Sequence, residues 1–171
     1  MAIKPMNIET ASGEARAAST AKGDILDRLL ADKQEWAPLM LRLPLGVIFF
    51  AHGAQKVLGW FGGFGWNGTM RFFTQTLHIP APLAVAAFLV EFLGGLALLA
   101  GVYTRWVALL AAAQMVVAAI LVHLPNGFFL NWTNVPNKGH GIEYNLLLIG
   151  AALALAIIGG GRLSVDGALR K

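Results

Sequence analysis

The sequence predicts an all-α integral membrane protein: a four-transmembrane-helix bundle, with an N-terminal interfacial amphipathic helix and an outer-face interfacial segment between spans one and two. Three observations lead there. Of the 171 residues, 57% are hydrophobic and 13% charged, and the mean hydropathy is +0.64, far from the composition of a soluble domain. The apolar residues gather into four stretches, 37–59, 82–101, 106–123 and 142–158. Each has about the length that a hydrocarbon core of about 30 Å demands at about 1.5 Å per residue. None shows the sustained period-two alternation of a lipid-facing strand, so helices, which satisfy their own backbone groups, are the expected spanning element.

The elements follow in chain order. Residues 1–22 are rich in Ala, Thr, Ser and Glu without apolar periodicity and read as a tail. "GDILDRLLADKQEW" places Ile25, Leu26, Leu29 and Leu30 in one stripe, the pattern of a short helix lying on a membrane surface. No apolar core of a secretory signal peptide precedes the first span. The chain thus divides into a cytoplasmic tail with interfacial helix, 1–36, and a membrane domain, 37–171. Pro44 is expected to weaken or kink the early part of span one. Residues 60–81 join a Gly and Trp hinge to "NGTMRFFTQTLH", where Asn67 or Thr69 would cap a short amphipathic helix. Pro80 and Pro82 mark the entry of span two. "VYTR" is short enough to make spans two and three antiparallel neighbours. Small residues recur where helices approach closely: Gly94, Gly95, Ala97 and Ala100, then Ala108, Ala111, Ala112 and Ala118, then Gly150 and Ala154. Residues 124–141 mix aromatics with Gly, Pro and Asn, as a surface or re-entrant loop does, with Trp132 at headgroup level. "NWT" at Asn131 formally matches a glycosylation sequon, a chance match in a bacterial-type inner-membrane protein.

Charge sets the orientation. Lys22, Arg28 and Lys33 precede span one, Arg105 lies in the turn after span two, and Arg162, Arg170 and Lys171 follow span four; Arg71 and Lys138 stand opposite. The positive-inside rule then puts both termini in the cytoplasm and residues 60–81 and 124–141 outside. The net charge of +4 follows from this bias. It does not indicate nucleic-acid binding, since no basic cluster carries interleaved aromatics. Cysteine is absent, which removes disulfide, thiolate, iron–sulfur and cysteine-zinc chemistry and leaves any redox step to a cofactor.

The polar residues inside the spans are the informative minority, because an ionisable group at membrane depth is costly without a partner or water. Arg42 can snorkel to the inner headgroups and Lys56 to the outer ones. His52, Gln55 and Lys56 nevertheless form one stripe at i, i+3 and i+4, which must face protein or water. Glu91 is about ten residues from either end of its span, so it must be protonated, paired or solvated, with Lys56, Arg42 and His52 as candidate cations. His123 closes span three, and "HGIEYN", residues 140–145, opens span four. Glu143 there suits the helix dipole.

Together "LRLPLGVIFFAHGAQKVLGWFG", "LVEFLGGLALLAGVYTRWVAL", "NGFF" and "GIEYNLLLIGAALALAIIGGGRLSVD" resemble, in order and spacing, the DoxX family of small four-helix membrane proteins, over about residues 40–169. The resemblance implies a membrane subunit associated with quinone-linked redox systems, such as a terminal quinol oxidase or thiosulfate:quinone oxidoreductase. It marks Arg42, His52, Lys56, Glu91 and Glu143 as family-type polar positions.

The expected function is therefore an inner-membrane subunit with a polar pocket in the outer half of the bundle that handles a quinone. His52, Glu91 and Glu143 would be the acid/base groups. Arg42, Gln55, Lys56 and His123 would be binding groups, and Phe49, Phe50, Trp60, Trp66 and Phe92 wall residues. A quinone is the one cofactor implied; a bis-histidine haem on His52 and His123 suffers from mismatched heights, and the four histidines lack a copper-binding spacing. Expected partners are the bilayer, other redox or membrane-complex subunits, and further copies of the chain. Two other classes compete: a non-catalytic assembly or anchoring subunit, and a small proton-coupled transporter.

Overall fold

The computed structural model describes residues 36–169. The tail and the amphipathic helix expected at residues 23–36 lie outside the described residues except for Trp36, which opens the first helix. Six helices follow in order: α1 (Trp36–Val57), α2 (Gly65–Arg71), α3 (Ala81–Ala100), α4 (Thr104–Ala118), α5 (Glu143–Ile158) and α6 (Val165–Ala168). Among the described residues there is no strand. A wider π turn, Ala119–His123, and a 3-10 turn, Leu124–Asn126, prolong α4. Three helices, Trp36–Val57, Ala81–Ala100 and Thr104–Asn126, are long and apolar enough to cross a membrane; Glu143–Ile158 is apolar but shorter. α1 runs through Pro44 without interruption. The expected entry to α3 holds, with Pro80 as N-cap and Pro82 in the first turn.

α1, α3, α4 and α5 share one core, in which Leu45 and Phe49, Leu98, Ala108, Ala111 and Ala112, and Leu148, Ala152 and Leu155 pack together. The small residues do what their positions require, with two exceptions. Gly94, Gly95, Ala108, Ala111 and Ala112 are buried, whereas Gly150 has open space around it and Ala100 is exposed; on α5 it is Ala152 that meets the core.

The α1–α3 contact is backbone on backbone. Gly53 lies against Phe92, Gly95 against Phe50, and Gly46 against Leu99, the steps along the two antiparallel helices being equal and opposite. This register puts Val57, where α1 stops, level with Phe88, so α3 continues about seven residues, roughly 10 Å, beyond it. Residues 58–80 fill that height. Phe73 and Trp66 pack edge-on against Phe88, at centroid distances of 5.3 and 5.2 Å. α2 starts at Gly65 with no side-chain cap, so Asn67 and Thr69 lie inside the helix rather than capping it; Thr69 is buried there. A π turn, Phe72–Thr76, ends the segment.

The proximal end, where the described chain enters and leaves, is tied by the C-terminal segment. The tight turn between α3 and α4 uses positive φ at Gly101 and Tyr103. The Asp166 carboxylate accepts from the backbone N–H groups of Tyr103 (2.8 Å) and Thr104 (2.7 Å), capping α4 from a distance, while the Asp166 N–H donates to the Gly101 carbonyl at 3.0 Å. Arg42, 2% exposed, donates to the Leu163 carbonyl at 2.6 Å. At the distal end residues 127–130 pair with 141–143: Gly141, Ile142 and Glu143 donate their N–H groups to the carbonyls of Phe129, Gly127 and Phe128.

Candidate functional site

The distal half of the bundle contains a cavity of about 490 Å³. Its apolar wall comes from three helices: Ile48 and Phe49 on α1, Met115 and Ala118 on α4, and Leu148 on α5. The polar residues enter from two levels. His52, Lys56 and Glu91 line the inner part, together with Asn145 from α5. His123 and His140 line it nearer the loop, where Leu130, Trp132 and Tyr144 complete the wall.

The register of α1 against α3 explains the inner group. Because α1 stops well short of the start of α3, Lys56 stands near the level of Glu91 instead of at a membrane edge. Its ammonium donates to Glu91 Oε2 and forms an ion pair with it. The second carboxylate oxygen, Oε1, accepts from Gln114 Nε2 at 2.7 Å. Both oxygens of a carboxylate that is 4% exposed are thereby satisfied, as burial in an apolar bundle requires. Of the three cations considered for Glu91, Lys56 is its partner. His52 lies one turn away on α1, and Arg42 is at the other end of the bundle.

Each remaining candidate has a definite place. Glu143 caps no cavity wall; its Oε2 accepts from the Leu130 N–H at 3.1 Å and so braces the loop that carries Trp132. Gln55 donates to the Phe61 carbonyl at 3.4 Å, turned toward the segment after α1. Of the aromatic wall residues expected, Phe49 is in the cavity wall. Phe50 stacks on Phe92 at 5.4 Å, and Trp60 and Trp66 belong to the distal segment. Trp132 and Tyr144 take the aromatic role instead. The structure thus brings together His52, Lys56, Glu91 and His123, and leaves Arg42, Gln55 and Glu143 outside the cavity. Gln114 and Asn145 were not legible as site residues. An amide in "AAAQMVV" carries no charge to mark it, although its position in an apolar helix is itself a signal of a hydrogen-bond partner.

Among the described residues, no three metal-donor side chains stand close enough to share one ion. What the cavity offers is an apolar slot ending on a paired ammonium and carboxylate. Such a site can orient a small, flat, largely apolar molecule with polar atoms at its edge. Asn131 is occupied structurally: its amide donates to the carbonyls of Val135 (3.1 Å) and Lys138 (2.7 Å) and accepts from the Val135 N–H at 2.9 Å, forming the loop around Trp132.

These features define an α-helical membrane protein with a polar-tipped cavity inside its bundle. The DoxX family model matches residues 37–124, and the chain belongs to the DoxX family. It is 31% identical over 132 residues to "Putative oxidoreductase CatD" of Bacillus subtilis (strain 168), covering 77% of this chain and 86% of the relative. It is 30% identical over 135 residues to "Inner membrane protein YqjF" of Escherichia coli (strain K12), covering 78% and 92%. No solved structure matches it. The chain is therefore a multi-pass inner-membrane protein of this family.

Proposed function

We propose that this chain is a membrane subunit associated with quinone-linked electron transfer, whose cavity takes a quinone or quinol headgroup. In this reading both termini are cytoplasmic and the cavity opens in the outer half. Four helices cross the bilayer, α5 completing its crossing with the paired segments 127–130 and 141–143. The observation that carries the reading is the cavity itself. At about 490 Å³ it falls within the range of about 300–1,000 Å³ usual for small-molecule sites. Its walls are apolar and aromatic, and its polar groups converge on one end.

The donor set fits such a headgroup. When bound, a quinone supplies a two-electron, two-proton carrier. Lys56 presents an ammonium that can hydrogen-bond and polarise a ring oxygen, and Glu91, held by Gln114, is the carboxylate able to accept a proton at that end. His52 stands in the wall one turn from Lys56. Phe49 and Tyr144 line the slot. Electrons would come from a partner subunit or a soluble substrate. The oxidoreductase name of one relative agrees with this chemistry.

The assembly-subunit reading has one observation of its own: both oxygens of Glu91 are already committed, to Lys56 and Gln114. Titration separates the two readings. Purified protein in mild detergent, titrated with a short-chain ubiquinone analogue by calorimetry, is expected to bind saturably. Lys56→Met should weaken binding tenfold or more while the protein remains folded. Absence of binding in the folded wild type would refute the quinone reading.

A further inference from the structure

Two histidines near the cavity mouth carry opposite hydrogen-bonding roles, fixed by their own neighbours. His123 Nδ1 lies 3.0 Å from the His140 carbonyl oxygen. A carbonyl only accepts, so Nδ1 holds a proton, and in the neutral ring Nε2 keeps its lone pair. His140 Nδ1 accepts from the Asn131 backbone N–H at 3.1 Å. An amide only donates, so this Nδ1 carries the lone pair and the proton of the neutral ring is on Nε2. The second nitrogens are thus one acceptor and one donor, on two rings that both line the same cavity.

The loop holds this arrangement in place. Asn131, whose N–H sets the His140 tautomer, is locked by its side chain to Val135 and Lys138. Asn126 donates to the Val122 carbonyl at 2.9 Å and accepts from the Gly139 N–H at 3.1 Å, fixing the chain next to His140.

We propose that His123 and His140 form a hydroxyl-reading pair: a phenolic O–H in the cavity donates to His123 Nε2 while its oxygen accepts from His140 Nε2–H. A hydroxyl can satisfy both rings at once. A quinone carbonyl, which only accepts, or an aryl ether offers His123 Nε2 no donor and forgoes the hydrogen bond that a hydroxyl makes there. The pair therefore selects the reduced, hydroxyl-bearing form of a ring whose other edge meets Lys56. This rests on the cavity binding a quinone-type ring, as proposed above, and adds which oxidation state it prefers.

The test has a ligand-free arm and a binding arm. Long-range ¹⁵N–¹H correlation spectra of imidazole-labelled protein, assigned with His123→Phe and His140→Phe, should show His123 protonated at Nδ1 and His140 at Nε2. Anaerobic titration with tetramethylhydroquinone and its dimethyl ether should show the hydroquinone binding at least about fivefold more tightly, the worth of one ordinary hydrogen bond. His123→Phe should remove that preference while ether binding persists. Reversed tautomers, or equal binding of hydroquinone and ether to the wild type, would overturn the hydroxyl-reading pair and leave the quinone cavity standing. Failure of both probes to bind the folded protein would overturn the pair together with the cavity reading.

Discussion

Replacing Gly53 with alanine tests the helix register on which the cavity depends. A Cβ at this position would meet Phe92 Cα at 2.5 Å and Glu91 C at 2.7 Å, as well as the Phe92 amide nitrogen. All three are backbone atoms, so no side chain can swing aside. Reaching ordinary contact requires α1 and α3 to separate by about 1 Å, and overpacking of this kind costs about 1–3 kcal/mol. The same separation pulls Lys56 away from Glu91. Gly150→Ala is the matched control: nothing lies within 4 Å of its Cβ position, and an exposed helical Gly→Ala change gains about 0.5–1 kcal/mol. The propensity gain applies to both helical glycines, so unfolding in mixed micelles by increasing SDS fraction should rank Gly53→Ala below Gly150→Ala by the overpacking cost, at least about 1 kcal/mol. If Gly53→Ala unfolds together with Gly150→Ala, or after it, the close α1–α3 register is wrong.

Three further outcomes follow from the same geometry. Lys56→Met alone should destabilise the fold by about 3–5 kcal/mol in that assay, because it strands the buried Glu91 carboxylate; Glu91→Gln, which leaves the part-exposed Lys56 ammonium within reach of water, should cost less, and the double change should recover part of the Lys56→Met loss. Gln114→Leu should cost about 1–3 kcal/mol, since Glu91 Oε1 loses its donor. Asp166→Ala, which removes the cap on the α4 amides of Tyr103 and Thr104, should cost about 0.5–2 kcal/mol, with Asp166→Asn retaining part of it. A reporter active only outside the cytoplasm should be active when fused after Gly65 or Asn137 and silent after Tyr103 or Lys171; the inverse pattern would reverse the cavity's side.

The apolar helices were legible because apolar length and Pro, Gly and charge punctuation are local signals; three of them are long and apolar enough to cross a membrane and the fourth, Glu143–Ile158, is shorter. With the π and 3-10 turns that prolong α4 to Asn126 counted in, their ends shift by no more than three residues between sequence and structure. Glu91, His52 and Lys56 were legible because ionisable groups stand out in apolar helices. Their relative heights were not. Span lengths alone place Lys56 near an interface and Arg42 within reach of Glu91, and only the glycine contacts reveal that α1 ends about 10 Å short of α3. Arg42 consequently serves the proximal end, against Leu163, and Glu143 serves the loop. Gln114 and Asn145 escaped notice because uncharged amides in apolar helices resemble tolerated polar residues until a partner is seen. Trp132 was legible as an interfacial aromatic, but its place in the cavity wall depends on the Asn131 turn and the Glu143 brace, neither of which has a local signature.

Photolabelling tests the central claim most directly. An azido-substituted benzoquinone, irradiated with the purified protein in lipid nanodiscs, should modify peptides containing His52, Met115 or Tyr144, and an excess of unlabelled quinone should suppress the labelling. Labelling confined to lipid-facing residues or to the Arg42 end, and unaffected by competitor, would contradict a quinone site in this cavity.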